Sequence, residues 1–177
     1  MLVVDRFSTG GPPDQFTNFY GTYNRTKLQE RVRDLLTVCA VAGSAADPRG
    51  PRFFDVILWG TGRAGLWALL AAPAAGAVIA DGDQLDVTSD SALLAPDLFC
   101  PGIRNIGTLE GGAVLAAPHP LLLHNTGESF STDALRSAYR ASGASGKLRV
   151  AAARLPDEEL VKWILQSNQQ TSAAARH

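Results

Sequence analysis

Val56-Ile57-Leu58-Trp59-Gly60-Thr61-Gly62-Arg63-Ala64-Gly65 decides how this chain is read. The run Phe53 to Trp59 (FFDVILW) is apolar apart from one acid, as expected of a central parallel strand covered on both faces. Gly60 to Gly65 then makes a glycine-rich turn, and Leu66 to Ala75 has the composition of a helix packed on a sheet. Ala77-Val78-Ile79-Ala80 predicts a second buried strand, ending at Asp81 and Asp83. Strand, tight turn, helix and strand form one βαβ unit, and ligands in open parallel sheets gather at the carboxyl ends of such strands.

The same alternation extends in both directions. Thr26 to Gln29 fits the capping-box pattern T-x-x-Q, and Leu28, Val32, Leu35, Leu36 and Cys39 follow at helical spacing. An amphipathic helix is predicted from Lys27 to Ala42. Leu2 to Asp5 reads as a short strand, followed by a glycine- and proline-rich loop from Ser8 to Asp14. Asp86 to Asn105 reads as irregular, and Thr108 is placed to cap a short helix through Ala117. Pro120 to His124 (PLLLH) and Leu148 to Ala152 are the third and fourth buried strands of the series. Ser131 to Asp133 opens a helix with Leu135, Ala138 and Tyr139 facing inward. Pro156 and the acids Asp157 to Glu159 open the last one, because proline suits a first turn and acids favour the positive end of the helix dipole. Leu160, Val161, Ile164 and Leu165 form its expected apolar side. Strands this apolar need helices on both faces, so the expected class is α/β, a three-layer sandwich with a mostly parallel sheet. Residues 1–167 form one expected domain, and 168–177 a polar, flexible tail.

Composition narrows the function classes. The chain has 177 residues, 46% of them hydrophobic and 19% charged, with a formal net charge of -1. This is the composition of a folded domain with a real core, and no basic stripe marks a nucleic-acid surface. Cys39 and Cys100 lie far apart and match no metal-site spacing, so buried thiols are expected, and neither a metal nor a cofactor. The uncharged run from Ala64 to Ala80 is short for a membrane span and is broken by Pro73 and Gly76. The N-terminus lacks signal-peptide features, and the expected compartment is cytoplasmic, with no membrane partner.

The glycine turn supports two functional readings. Gly60, Gly62 and Gly65 satisfy the dinucleotide fingerprint G-x-G-x-x-G, with Asp81 at the end of the next strand where a ribose hydroxyl would be bound. That motif usually opens its domain, whereas here a long helix precedes it. Alternatively the turn is a nucleophile elbow, G-x-S-x-G, with Gly60 at the first glycine, Gly62 at the nucleophile and Ala64 at the last glycine. The elbow aims only one side chain, and at Gly62 there is none.

The order of several weaker motifs favours the elbow. Leu2 to Gly10 contains a D-x-F-x-T-G pattern, and Tyr23-Asn24-Arg25 is followed by Arg31 to Leu36. Gly60 to Leu70 (GTGRAGLWALL), Pro101-Gly102-Ile103, Gly107 to Pro118 and Leu121 to Gly127 (LLLHNTG) continue the series. Together they resemble the C-terminal part of an α/β-hydrolase of the acetyl-xylan-esterase-like or dienelactone-hydrolase-like bacterial kind, truncated and with a degenerate elbow. The resemblance implies carboxylic-ester chemistry, a catalytic acid after the strand at Pro120 to His124, and a base histidine after the last strand. Glu128 and Asp133 lie in the acid's region. The only histidine after the last strand is His177, while His124 and His119 flank the earlier strand.

Three functions remain open at this point. One is a degenerate hydrolase-like domain that binds a ligand or partner. A second is an ester hydrolase with relocated groups, drawn from His124, Glu128, Asp81 and Asp83. The third is a nucleotide-binding domain using Gly60, Gly62, Gly65 and Asp81; for an elbow or ligand-binding site in general the candidates are Gly60, Thr61, Gly62, Arg63, Gly65, Asp81 and Asp83. The resemblance also implies that early strands of the fold are missing, which would expose a sheet edge and favour a homo-oligomer.

Overall fold

A computed structural model describes residues 24–43 and 56–174, with side chains described through 167. The strands are β1 (Ile57–Gly60), β2 (Ala77–Asp81), β3 (Leu121–His124) and β4 (Leu148–Val150). They form one parallel sheet in the order β1-β2-β3-β4. The helices are α1 (Lys27–Gly43), α2 (Arg63–Leu70), α3 (Asp90–Leu93), α4 (Thr108–Val114), α5 (Asp133–Ala141) and α6 (Asp157–Ala174).

Side chains alternate across the sheet and divide the core in two. Val78, Ala80, Leu121 and Leu123 pack with Leu28 of α1, Leu66 and Leu69 of α2, Leu109 of α4, and Leu135 and Tyr139 of α5. Ile79 and Leu122 face the other way and meet Leu160 of α6, with Leu155, Trp163 and Ile164 against them. The molecule is therefore a three-layer α/β sandwich. Each crossover advances the sheet by one strand in the same direction, and right-handed crossovers then place α2, α4 and α5 on a single face. Leu121, Leu122 and Leu123 are wholly buried. Each contributes about 1.5–3 kcal/mol through burial.

The expected capping box forms at α1. The Thr26 amide donates to Gln29 Oε1 at 2.9 Å, and the Gln29 amide donates to Thr26 Oγ1 at 3.4 Å. Arg31 of α1 lies over the Trp67 ring of α2, 5.8 Å from its centroid.

Several elements differ from the sequence expectation. Helix α2 begins at Arg63, ahead of Leu66, because the chain turns directly from Gly62 into helical geometry. It stops at Leu70, and a 3₁₀ turn covers Ala72–Ala74. Thr108 does not cap α4: it is the first helical residue, at φ 61°, and Gly107 at φ 80° takes the cap position. The span Asp86 to Asn105 contains helix α3, capped by Ser89, which accepts from the Ala92 amide. On α6, Leu160 is buried but Val161 and Leu165 are 45% and 59% exposed. The sheet meets the line Leu160, Trp163 and Ile164, which leaves Val161 and Leu165 turned outward. Ala138 is only half-buried. The strand expected at Phe53 starts at Ile57, residues 53–55 lying outside the described ones. The expectations at Leu2 to Asp5, at Ser8 to Asp14 and at His177 also lie outside the described residues. Helix α6 continues beyond Ser167 as far as Ala174. Among the described residues no helix is long and apolar enough to cross a membrane.

Candidate functional site at the carboxyl ends of the strands

The bend after β1 is tight because two of its glycines have no room for a side chain. A Cβ at Gly60 would stand 2.4 Å from the Ala64 carbonyl oxygen. A Cβ at Gly65 would stand 2.2 Å from the Asp81 carbonyl oxygen, so α2 lies directly on the backbone of β2. Gly62 differs. It adopts φ 51° and ψ −135°, and a Cβ there would find only Asp83 Oδ1, at 3.8 Å. The tip of the bend therefore faces open space, while its two flanks are closed by packing.

Asp81, at the end of β2, holds the bend from below. It is 1% exposed. Its Oδ2 accepts the Gly62 amide at 3.0 Å. Its Oδ1 accepts the Asp83 amide at 2.8 Å and Asn125 Nδ2 at 2.7 Å. Burial pushes the carboxyl pKa up, but the Asn125 amide, the Asp83 and Gly62 amides and the nearby His124 outweigh it, and the net shift is downward. A buried anion at the N-terminus of α2 is also favoured by the helix dipole.

The other expected site residues gather unevenly around this pair. Arg63, beside the tip, places Nε 3.4 Å from Asp83 Oδ2 and 3.2 Å from Asp97 Oδ2. Thr61 is exposed. His124 ends β3 in register with Asp81 and is 2% exposed. Its Nδ1 accepts the Leu155 amide at 3.2 Å, which puts the ring proton on Nε2, and Nε2 is buried without a hydrogen-bond partner. Burial lowers the imidazole pKa, Asp81 raises it, Arg154 lowers it and Asp157 raises it, with a net downward shift. Glu128 is exposed in the turn after β3. Asp133 is exposed at the first turn of α5, and half-buried His119 precedes β3, at the far end of that strand.

Asn125 is the residue that sequence reasoning missed. It sits at φ 56°, gives Nδ2 to Asp81, and leaves its buried Oδ1 without a partner. Asp83 (φ 53°) and Gln84 (φ 48°) are also left-handed, so non-glycine residues at positive φ cluster in the turns after β2 and β3. Such clustering is characteristic of functional sites. The one available signal was Asn125 itself, an asparagine directly after a buried strand and a residue type tolerant of positive φ.

The arrangement weighs against a dinucleotide at this bend. The Gly62 amide that would meet a pyrophosphate is given to Asp81, and the Asp81 carboxylate is saturated and buried rather than offered to a ribose. Among the described residues no group of three or more His, Cys, Asp or Glu side chains is arranged to hold a metal ion. No family model matches the chain, and neither a characterised protein nor a solved structure matches it significantly.

Proposed function

We propose that this chain is an α/β-hydrolase-like domain that binds a ligand or a partner without turning over esters, the elbow having kept its shape and lost its nucleophile. The observation that carries this reading is the backbone of Gly62. Its conformation, φ 51° and ψ −135°, is one that would strain any residue with a side chain, it lies between a parallel strand and a helix, and its missing side chain would point into open space. A nucleophile elbow needs those three properties. Small residues on either side are also required: Gly60 and Ala64 stand at those two positions, and Gly65, next to Ala64, lets the helix lie against the backbone of β2.

The remaining groups suit binding better than acyl transfer. A base must reach the nucleophile's proton, whereas His124 spends Nδ1 on the Leu155 amide and keeps Nε2 buried. Arg63, Asp83 and the exposed Thr61 surround the tip with polar groups of both charges. Among the described residues the sheet ends at β1 and β4, and a strand edge left unpaired would favour association with a second copy.

The reading is tested with a serine-directed fluorophosphonate and with p-nitrophenyl acetate on the full chain. The expected result is no covalent labelling and no hydrolysis above the uncatalysed rate. Labelling, or hydrolysis that disappears in His124→Ala, overturns it in favour of an active hydrolase.

A further inference from the structure

His124 lies where β3, the end of β2 and the entry to α6 meet. It shares its sheet face with Leu122, two residues earlier, and Leu122 packs against Leu160 of α6. The segment from β4 to α6 is tied to β3 by backbone bonds: Ala151 N–H to the Leu123 carbonyl at 2.9 Å, Asn125 N–H to Ala153 at 3.1 Å, and Gly127 N–H to Ala152 at 3.2 Å. Beyond Ala153 the tie passes to a side chain. The Leu155 amide, immediately before Pro156 and α6, is held by His124 Nδ1.

This bond exists only for the neutral ring. Protonation places a second N–H on Nδ1, facing the Leu155 N–H at 3.2 Å, and two donors cannot bond to each other. The new charge would also sit where the residue is 2% exposed and where Nε2 already lacks a partner. The charged groups around it are Asp81 from β2, Arg154 from the β4–α6 connection and Asp157 from the first turn of α6. Asp81 and Asp157 favour the cation and Arg154 opposes it. Burial is the largest influence, and it opposes the cation.

We propose that His124 is an acid-sensitive fastener: protonation at Nδ1 frees Leu155 and releases the first turns of α6 from the sheet, baring the apolar strip of Ile79 and Leu122. The sign follows from linkage. The released imidazole titrates near its ordinary value of 6.5, whereas the fastened one titrates lower. The fastened state is therefore fully favoured above that value and loses ground as pH falls below it, until the fastened ring itself protonates.

The test is amide hydrogen exchange of the full chain, comparing the wild type with His124→Asn between about pH 7.5 and about pH 5. Asparagine keeps an acceptor near the position of Nδ1 but does not protonate. Taking the ratio of the two proteins at each pH removes the intrinsic dependence of exchange. The ratio for amides at the start of α6 is expected to rise about tenfold per pH unit below about 6.5, while amides of β2 and β3 stay protected. The same experiment on His119→Asn is expected to behave as wild type. A ratio that stays constant with pH overturns the proposal, as does opening of the whole sheet together with α6. Should His124→Asn fail to fold, ¹⁵N NMR of the wild-type imidazole decides: Nδ1 protonation in step with loss of Leu155 protection supports the fastener, and protonation without that loss overturns it.

Discussion

The Gly62 amide donates to Asp81 Oδ2 at 3.0 Å, so the tip of the bend after β1 is fixed by a carboxylate at the end of the neighbouring strand. Two parallel strands are thus joined at their carboxyl ends by an anion that also accepts from Asp83 and Asn125. Removing the charge should loosen all of these at once. Asp81→Asn is expected to lose about 2–3 kcal/mol at neutral pH, measured by urea unfolding. The pH dependence follows from the downward shift of the Asp81 pKa. Its contribution is present above the ordinary carboxyl value of 3.8 and is lost as pH falls through the lower folded value. The stability of the variant should fall less steeply below that pH than the wild type's. Unchanged stability and an unchanged acid limb would contradict this.

Tyr139 is wholly buried, and its hydroxyl donates to the His119 carbonyl, tying α5 to the segment before β3. Tyr139→Phe leaves that carbonyl without its donor and is expected to cost about 1–3 kcal/mol. Burial pushes the phenol pKa above its ordinary value of 10.0. The folded protein should then hold this proton while the unfolded chain loses it, so stability declines as pH rises through about 10. Phenolate absorbance from Tyr139 should appear only with unfolding, which Tyr139→Phe identifies by difference.

The cysteines should separate by access. Cys39 is 0% exposed, and Cys100 is half-buried beside Gln29, whose Nε2 lies 3.8 Å from its Sγ. Burial raises both thiol pKa values, and at Cys100 the Gln29 contact opposes the rise without cancelling it. Iodoacetamide at neutral pH should modify Cys100 slowly and Cys39 only on unfolding, as read by peptide mass. Rapid labelling of Cys39 in the native protein would place it outside the core.

Much of this architecture was legible in residue order. The capping residues Thr26 and Gln29 make both expected bonds, and the apolar runs at Ala77 and Leu121 became the central strands. Asp81 could be placed at the end of its strand because a run of buried residues stops there. What could not be read depends on contacts far apart in sequence. Val161 and Leu165 are as apolar as Leu160, and only the angle at which α6 meets Ile79 and Leu122 decides which of them is buried. Asn125 gains its role from a carboxylate on another strand. Thr108 looks like a cap, but the left-handed Gly107 takes that position and leaves Thr108 Oγ1 buried without a partner. His124 stood out as a histidine at a strand end, yet its bond to Leu155 depends on how the chain returns after β4.

The account rests on Gly62 being the open tip of a closed bend. Urea unfolding of Gly60→Ala, Gly62→Ala and Gly65→Ala, compared in one series, tests this most directly. Gly62→Ala should fold and lose about 1–3 kcal/mol, the cost of a side chain at positive φ with free space around it. Gly60→Ala and Gly65→Ala should each lose more than about 3 kcal/mol or fail to fold, because the added carbon meets backbone. Equal losses across the series, or a Gly62→Ala variant less stable than the other two, would contradict it.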